Sequence, residues 1–423
     1  MPKFLHEIIS SKAVTIPEKP ALIWNNEEIN FALLQENIDL AKNAILNISD
    51  RGDRIAILGL NNPIYVELLY AIPSYGRISV PLNIRLSTSA LVDQINELGV
   101  KLIIGDQEAI NKLEPFLHKT ILTINFAHYR EWCQTFSNTP VFETLDLTPK
   151  SIAWLLFTSG TSGAPKAACI THESILAGLF SANQGRPVLP GDRYLYSFPL
   201  FHIAAHNILH QHKQGIAVVL LPRFDADEVL LLCEKQKITS MSLAPTMMTL
   251  ILDSPNYRRK KLESVRLIGY GASAISPRLL ERVLDEIDCD LSQGYGMTEL
   301  SGSIAFLGPE QHRCAYTSSP ELLYSVGQIV TGVECYIVDK CGNKVARGEI
   351  GEIIVRGEQV ISHYWNNPLA TAESFKQGWL YTGDIGRFDS KGNLTIVDRK
   401  KDIIISGGEN IASREVEAVI GLL

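Results

Sequence analysis

The sequence predicts an α/β protein in which helices cover mainly parallel sheets. Up to residue 324, short apolar runs alternate with longer amphipathic segments, as at 54–60, 63–71 and 77–81. This β–α–β alternation is typical of parallel sheets with helices on their faces. Beyond residue 325 the runs become short, β-rich and broken by Gly, Asn and Asp, which predicts a small antiparallel barrel. The length of 423 residues supports several substructures, because a single core stops growing at about 250–300 residues.

The individual elements follow in chain order. The segment 54–60 (RIAILGL) predicts a buried strand, and 63–71 predicts a helix with an apolar face. The other predicted elements carry the same signals, namely a helix at 87–98 and strands at 77–81, 101–105, 152–157, 217–221, 264–269, 333–338, 350–355 and 394–397. We therefore expect two α/β subdomains, residues 1–170 and 171–324, and a β-rich subdomain, residues 325–398.

The last segment of the sequence predicts the beginning of a further unit. Residues 403–423 start a new strand and helix, and the helix at 413–420 has an apolar face that no later segment covers. A helix normally buries such a face. We expect residues 399–423 to be the start of a smaller second domain.

Composition disfavours several classes of function. The net charge of −7 gives no reason to expect nucleic acid as a partner, since that calls for a basic face. The seven cysteines form no CxxC pair, so neither a disulfide framework nor a structural zinc site is indicated. Acidic residues precede any long apolar stretch at the N-terminus, and no apolar run approaches the ~20 residues of a membrane-spanning helix. We expect a cytoplasmic protein without a transmembrane segment.

The segment 154–166 (WLLFTSGTSGAPK) carries the strongest local signal. An apolar strand leads into small residues whose backbone N–H groups can converge on anionic oxygens, and a lysine adds positive charge. A flexible surface loop is the alternative, but a linker would not follow directly from a buried strand. A Walker A loop is disfavoured, because Ala167 rather than Ser or Thr follows the lysine. The predicted phosphate-loop residues are Thr158, Ser159, Gly160, Thr161, Ser162, Gly163 and Lys166.

The segment FTSGTSGAPK resembles the signature loop of the adenylate-forming superfamily, which includes acyl- and aryl-CoA synthetases, the adenylation domains of peptide synthetases and firefly luciferase. His363 stands where this family usually has glycine. The likeness covers essentially the whole chain. It implies a large N-terminal adenylate-forming domain, residues 1–398, followed by a mobile C-terminal domain. The other segments that resemble the family are 17–22, 80–83, 325–327, 351–357 and 363–375.

The resemblance also implies a nucleotide site. Within it, Tyr295 would stack on adenine, Thr298 would contact the α-phosphate and Glu299 would hold Mg²⁺. A carboxylate beside bound phosphate makes physical sense with a metal between them. An ordinary strand-to-helix turn at 271–273 and a solvated loop acid at 299 are the structural alternatives. The residues implied around adenine are Gly271, Ala272, Ser273, Gly294, Tyr295, Gly296 and Met297.

Two later segments complete the implied site. Asp384 resembles the family carboxylate that accepts both ribose hydroxyls, a role suited to two acceptor oxygens in one plane. Arg399 resembles the arginine that contacts ribose and phosphate, and Lys401 falls at the hinge about which the C-terminal domain rotates. Asp398 departs from the glycine that usually precedes this arginine. Lys400 is interpreted as part of a solvated charged face.

Four histidines, His202, His206, His210 and His212, leave two interpretations open. The first three are spaced i, i+4 and i+8, which would align them on one face of a helix, so a metal site is conceivable. No acid or cysteine nearby completes such a site. The resemblance instead implies that His202 lies beside the acid pocket and that the others lie on a helix lining or backing it.

These observations predict an acid–CoA ligase. The resemblance implies that ATP and Mg²⁺ activate a hydrophobic small-molecule carboxylic acid to an acyl-adenylate, which is then transferred to CoA. A module that loads a carrier-protein thiol and a non-catalytic acyl- or nucleotide-binding protein are the alternatives. The family lysine that assists adenylation lies beyond residue 423 by the usual family length. We therefore expect low activity from residues 1–423 alone.

Overall fold

The structure is a computed structural model that describes residues 2–139, 146–158, 165–271, 275–400, 404–406 and 409–411. Several predicted features lie outside these residues. They are Ser159, Gly160, Thr161, Ser162 and Gly163 of the phosphate loop, the adenine positions Ala272 and Ser273, the hinge residue Lys401 and the helix at 413–420. Within the described part of the chain, no helix is long and apolar enough to cross a membrane.

Helices occur along most of the described chain. Several follow directly after a capping residue whose side chain accepts a hydrogen bond from a backbone N–H of the first helical turn. Asn30, Asn62 and Thr171 are such residues. The helices are α1 (His6–Thr15), α2 (Phe31–Ile48), α3 (Pro63–Ala71), α4 (Thr88–Leu98), α5 (Gln107–Leu113), α6 (Tyr129–Thr135), α7 (His172–Gly185), α8 (His206–Gln214), α9 (Ala226–Gln236), α10 (Pro245–Leu252), α11 (Pro277–Glu286), α12 (Pro309–Thr317) and α13 (Pro368–Ser374).

The strands are mostly short, and many are buried on both faces. Such burial explains why they read as near-continuous apolar runs. The strands are β1 (Pro20–Trp24), β2 (Glu27–Asn30), β3 (Arg54–Leu58), β4 (Ile78–Pro81), β5 (Val100–Gly105), β6 (Leu122–Asn125), β7 (Ile152–Thr158), β8 (Lys166–Thr171), β9 (Arg193–Tyr196), β10 (Ala217–Leu220), β11 (Ser240–Leu243), β12 (Leu267–Gly271), β13 (Asp290–Met297), β14 (Gly302–Leu307), β15 (Gln328–Ile329), β16 (Val333–Val338), β17 (Gly351–Gly357), β18 (Phe375–Lys376), β19 (Trp379–Phe388), β20 (Leu394–Arg399), β21 (Ile404–Ser406) and β22 (Glu409–Ile411).

Two large mixed sheets contain most of these strands. The nine-stranded sheet has the order β15–β14–β13–β12–β11–β9–β10–β1–β2, parallel from β13 to β1 and antiparallel at both edges. The six-stranded sheet has the order β6–β5–β3–β4–β7–β8, and only its β7–β8 pair is antiparallel. The predicted class of mainly parallel, helix-covered sheets is confirmed.

A third sheet is antiparallel and falls in the predicted β-rich region. Its order is β16–β17–β19–β18, with β20 also paired to β19. Apolar side chains of this sheet, among them Ile353 and Leu380, pack against Leu300 and Ile304 of the nine-stranded sheet region. This packing holds β19 close to the end of β13. The short β21–β22 hairpin follows.

Sheet membership does not follow sequence order. The strands β1 and β2 join the nine-stranded sheet through the pairing of Leu22 with Val218. At the other edge, β15 joins it through the pairing of Ala305 with Ile329. Pairing over such separations is not visible in local periodicity. The domain boundaries at residues 170, 324 and 398 therefore stay predictions.

Candidate active site

A cavity of about 1420 Å³ opens where the three sheets meet. Thr158 comes from the end of β7, Gly271 from the end of β12, and Asp384 from β19. Ligands of open α/β sheets commonly bind at the carboxyl ends of strands. The predicted site residues that line this cavity are Thr158, Lys166, His202, Gly271, Gly294, Gly296, Met297, Thr298, Glu299, Asp384 and Arg399.

Glu299 lies at the centre of a buried hydrogen-bonded group. β13 ends at Met297, and a single 3₁₀ turn, Thr298–Leu300, follows and carries the buried Glu299. The hydroxyls of Thr158 and Tyr364 each donate to Glu299 Oε1, both at 3.0 Å. Burial, and next the charge of Glu299, raise the pKa of Tyr364, so its phenol stays a hydrogen-bond donor. The solvated-loop alternative for Glu299 is therefore excluded.

Lys166 extends this group. It opens β8, is buried, and its Nζ lies 5.4 Å from the centroid of the Tyr364 ring, which is a cation–π distance. Both hydrogen bonds that the described residues make to Glu299 go to Oε1, so Oε2 keeps its capacity as an acceptor. Carboxylate and hydroxyl oxygens are the hard ligands that Mg²⁺ prefers. Glu299, with the Thr158 hydroxyl beside it, therefore fits a magnesium ion.

Asp384 forms a second polar group on the same cavity. Tyr295 donates its hydroxyl to Asp384 Oδ2 at 2.6 Å, and Arg399 Nε lies 3.4 Å from Oδ1. The Asp384 side chain is nearly buried, whereas that of Arg399 is half exposed. Burial, and next the Asp384 charge, raise the pKa of Tyr295 well above its usual range. The structure thus brings together three residues that the resemblance implied for the nucleoside.

Tyr295 itself does not line the cavity among the described residues. Its ring packs against the apolar cluster that includes Val326 and Leu380. The structure therefore places its hydroxyl at Asp384. The stacking of this ring on adenine stays a prediction.

Sequence analysis missed an ion pair at the cavity. Lys400 Nζ lies 2.8 Å from Glu352 Oε2, and the Lys400 N–H donates to the Gly383 carbonyl oxygen at 2.8 Å. Both Lys400 and Glu352 line the cavity. Lys400 is exposed, as expected of a solvated charged face, and its side chain is in addition paired across the antiparallel sheet. A local run of charges does not reveal a partner 48 residues away.

The four histidines do not share one helix face. α8 begins at His206, and His202 lies ahead of a 3₁₀ turn, Ile203–Ala205. The expected i, i+4, i+8 alignment is wrong, because this turn separates His202 from the helix. His212 Nε2 lies 3.0 Å from the Ala21 carbonyl oxygen, away from the cavity wall. Within the part of the chain that the structure describes, no three metal-binding side chains gather.

His202 lies on the cavity wall with Phe201, and their ring centroids are 4.6 Å apart. Burial, and next the charge of Arg85, lower the pKa of His202. The imidazole is therefore neutral at neutral pH and adds no charge to the site. A further cavity residue, Arg186, was not found by sequence analysis, since a single arginine after a helix carries no motif.

These features define an enzyme of the adenylate-forming class. One cavity combines a lysine and a carboxylate suited to phosphate and metal with a second carboxylate suited to ribose. Residues 10–365 match the family of AMP-binding enzymes, and the chain belongs to that family. The resemblance to the adenylate-forming superfamily is thereby confirmed.

Individual relatives narrow the class of reaction. Feruloyl-CoA synthase of Amycolatopsis sp. is 31% identical over 404 residues, which are 95% of this chain and 79% of that protein. Fatty acid–[acyl-carrier-protein] ligase ScoC of Streptomyces coeruleorubidus is 29% identical over 413 residues, 96% of this chain and 78% of that protein. The structure of o-succinylbenzoate coenzyme A synthetase from Bacillus subtilis with ATP and magnesium matches with a TM-score of 0.86 at 31% identity, covering 98% of this chain and 83% of that one. The chain is an acid–thiol ligase of the AMP-forming acyl-CoA synthetase kind.

Proposed function

We propose that this protein uses ATP and Mg²⁺ to activate a carboxylic acid with an apolar body and then transfers the acyl group to CoA. The Glu299 group carries this proposal, since it joins Thr158, Lys166 and Tyr364 around one buried carboxylate on the cavity wall. The complex of the Bacillus subtilis synthetase with ATP and magnesium supports the same nucleotide and metal here.

The wall beside His202 supports an acid with an apolar body. Phe201 contacts His202, and further apolar side chains, among them Phe224, Leu243 and Met247, line the same cavity. Such a wall stabilises an aryl or alkyl group at about 25 cal/mol per Å² removed from water. A short polar acid would leave this surface in contact with water.

The chemistry explains why so many charges converge. The acid's carboxylate oxygen attacks the α-phosphorus of ATP, a P–O bond forms, and the bond to pyrophosphate breaks. Both reactants are anionic, so positive charge and alignment must lower the barrier. Mg²⁺ bound at Glu299 would neutralise phosphate charge. Lys166 would hold the leaving phosphates, and Thr298 would donate to the α-phosphate.

Asp384 and Arg399 would fix the other end of the nucleotide. Two acceptor oxygens in one plane suit the paired hydroxyls of ribose. The Tyr295 hydroxyl and Arg399 Nε already orient this carboxylate. The nucleotide would thus be held at both ends, with its α-phosphate near Thr298.

CoA is the acceptor we favour, because feruloyl-CoA synthase and the succinylbenzoate synthetase are both named for CoA. ScoC is named for an acyl-carrier protein, which supports a carrier-protein thiol as the second candidate. In either case the thiolate attacks the acyl carbon of the adenylate and AMP leaves. A purely non-catalytic role is not favoured, since the relatives are ligases.

The test is acid-dependent release of pyrophosphate by the full-length protein. Aryl, medium-chain and long-chain acids are offered with ATP and Mg²⁺, and the adenylate is identified by mass spectrometry. CoA and a phosphopantetheinylated carrier protein are then compared as acceptors. We expect pyrophosphate release with at least one acid and a CoA thioester in the second step. Nucleotide binding without pyrophosphate release for any acid would overturn the proposal.

A further inference from the structure

Arg186 is a cation on the cavity wall that has no counter-charge. It follows α7 and lies between β11, β12 and β13, where most of its surface is covered by protein. Within the described residues, no carboxylate lies in ion-pair distance of its guanidinium. Burial, which is the main influence, lowers the pKa of Arg186, but an arginine remains charged at neutral pH. An uncompensated charge in such a place is costly.

The guanidinium also keeps unused donors. It has five N–H groups, and the described residues use two of them. Nη2 donates to the Tyr270 carbonyl oxygen at 2.9 Å, and Nη1 makes a long contact of 3.4 Å with Ser242 Oγ. Nε is buried without a partner. A small chamber of about 20 Å³ is also lined by Arg186 and has room for one water, which is too few to serve all the unused donors.

A neighbouring arginine shows what a structural role looks like here. Arg266 borders the same small chamber and bonds Asp192 through both Nε and Nη2, with a further bond from Nη2 to the Pro187 carbonyl oxygen at 3.0 Å. Its charge is therefore matched by the protein, and three of its N–H donors have partners. Arg186 has no equivalent of Asp192.

The surroundings of Arg186 add no negative charge. The titratable groups that face it are the hydroxyls of Tyr194 and Tyr270 and the imidazoles of His206 and His210. Burial lowers the pKa of His206 to about 4 and of His210 to about 3, and Arg186 contributes to both shifts. All four groups are neutral at neutral pH, so the field at this end of the cavity is positive.

The packing holds Arg186 in place. A Cβ at Gly269 would lie 2.7 Å from Arg186 Nε, and one at Gly294 would lie 3.0 Å from Nη2. Two glycines on adjacent strands thus make the space that the guanidinium occupies. The Phe306 ring lies 5.6 Å from its Cζ on another side. The cation is fixed beside the cavity.

Its position relative to the nucleotide end sets a length. Gly294 lies against Arg186, and Thr298 is four residues further along the chain. The segment between them belongs mostly to β13. Four residues of extended backbone span at most about 14 Å. Consider an acid whose reacting carboxylate lies near Thr298. If an aromatic ring or a chain of comparable length separates this carboxylate from the other end of the molecule, that other end lies at Arg186.

We propose that Arg186 binds a second anionic group on the substrate, so that the preferred substrates are dicarboxylic acids with an apolar body between the two carboxylates. This rests on the proposed function and specifies its substrate class. The distal carboxylate takes the unused N–H groups of Arg186, with Ser242 as a neighbouring donor. Binding supplies the counter-charge that the protein lacks.

The test compares matched acids in the full-length protein. Octanoate is compared with octanedioate, and cinnamate with its para-carboxy derivative, by kcat/KM for pyrophosphate release. We expect the wild-type protein to prefer the diacid of each pair by about 10²-fold, because bidentate arginine–carboxylate pairs are strong. In Arg186→Met this preference should vanish, mainly through a higher KM for the diacids, with monoacids little affected. Arg186→Lys should keep part of it.

Arg223→Met is the matched control, since Arg223 lies on the same cavity wall but is exposed to solvent. It should leave the diacid preference unchanged, and calorimetric ATP binding checks that each variant is folded. A wild-type protein that turns over monoacids as well as diacids would overturn this inference and leave the proposed function intact. So would an equal loss for both members of each pair in Arg186→Met. Absence of turnover with every acid would instead overturn the proposed function.

Discussion

At the scale of single residues, Asp384 is set apart by its environment. Its carboxylate is almost buried, and its ordering contacts come from Tyr295 and Arg399, 89 residues before it and 15 after it. Strand β13 and the paired strands β19 and β20 therefore converge on two oxygen atoms. Preorganisation of this kind lowers the entropy cost of ordering the carboxylate when a ligand binds.

The first prediction concerns this carboxylate. Asp384→Ala should weaken ATP binding by roughly 10²-fold, because two hydrogen bonds to a charged group are worth about 3 kcal/mol. Isothermal titration calorimetry measures the effect. Tyr295→Phe is the control, since it removes one hydroxyl and leaves the carboxylate, and it should cost about tenfold or less. Equal ATP affinity for Asp384→Ala and the wild-type protein would contradict the ribose role.

Glu299 gives the second prediction. Glu299→Gln keeps the shape of the side chain and its contacts with Thr158 and Tyr364 but removes the charge. Pyrophosphate release should fall by about 10²–10³, and the Mg²⁺ concentration for half-maximal rate should rise. Tyr364→Phe removes one hydrogen bond only and should change the Mg²⁺ requirement little. An unchanged Mg²⁺ dependence in Glu299→Gln would argue against metal binding at this carboxylate.

The sequence indicated Thr158 through the residues of its own loop, and Glu299 and Asp384 through the resemblance to the adenylate-forming superfamily. It did not reach Arg186 or the Lys400–Glu352 pair. Their significance depends on partners in distant strands, or on the lack of a partner, and neither is encoded in a local motif. The roles of the site residues toward ATP and the acid stay predictions.

At the scale of elements, the hairpin of β13 and β14 positions the turn Thr298–Leu300. Gly296 pairs with Ser303 just after a register shift, and a side chain there would overlap the Gly302 carbonyl oxygen. The close approach of the two strands fixes where Thr298 and Glu299 lie. A glycine is required at this position for space rather than for a positive φ.

The third prediction tests this close approach. Gly296→Ala should lower the free energy of unfolding by about 1–3 kcal/mol and reduce pyrophosphate release more than ATP affinity, since it displaces the following turn. Urea unfolding and the acid-dependent assay measure the two effects. Gly308→Ala is the control, because a Cβ there makes only an ordinary contact with Gln311. It should cost less than about 1 kcal/mol. A stable and fully active Gly296→Ala protein would contradict the packing argument.

The elements show where periodicity is sufficient. The predicted helix at 63–71 and strand at 333–338 have the observed bounds. The helix begins after Asn62, whose side chain caps it, and the strand ends before Asp339. The strand expected at 264–269 instead begins at Leu267. Ser264 uses its hydroxyl to bond the Ile238 carbonyl oxygen, so the chain there still belongs to the preceding turn. Local pattern cannot register such tertiary contacts.

At the scale of the whole molecule, buried histidines tie stability to pH. His172, His206, His210 and His212 are buried in helices α7 and α8, and burial is the main cause that lowers each pKa. In the folded protein the pKa is about 3 for His172 and His210 and about 4 for His206 and His212. The unfolded chain takes up these protons near pH 6.5. The contribution of these histidines to the free energy of unfolding is therefore fully present above about pH 6.5 and is lost as the pH falls towards 4.

One buried carboxylate acts with the opposite sign. Burial raises the pKa of Glu67 to about 6, although its partner Arg130 opposes this shift. The folded protein then holds a proton that the unfolded chain releases at lower pH, so stability falls as the pH rises from about 4.5 to 6. The effect is about 2 kcal/mol at most. The pH dependence that this one carboxylate contributes is smaller than the opposite pH dependence of the four histidines together.

The fourth prediction follows from this balance. Between pH 7.5 and pH 5, the free energy of unfolding should fall by several kcal/mol, since each buried histidine contributes up to about 2 kcal/mol at pH 5. Urea unfolding at the two pH values measures it. His210→Gln should reduce the fall, because His210 makes only long contacts, with Asn183 at 3.4 Å and Gln211 at 3.5 Å, and little besides its titration is lost. His128→Gln alters an exposed histidine and should leave the fall unchanged. An equal free energy of unfolding at both pH values would show that these imidazoles become protonated without unfolding, and that water reaches them in the folded protein.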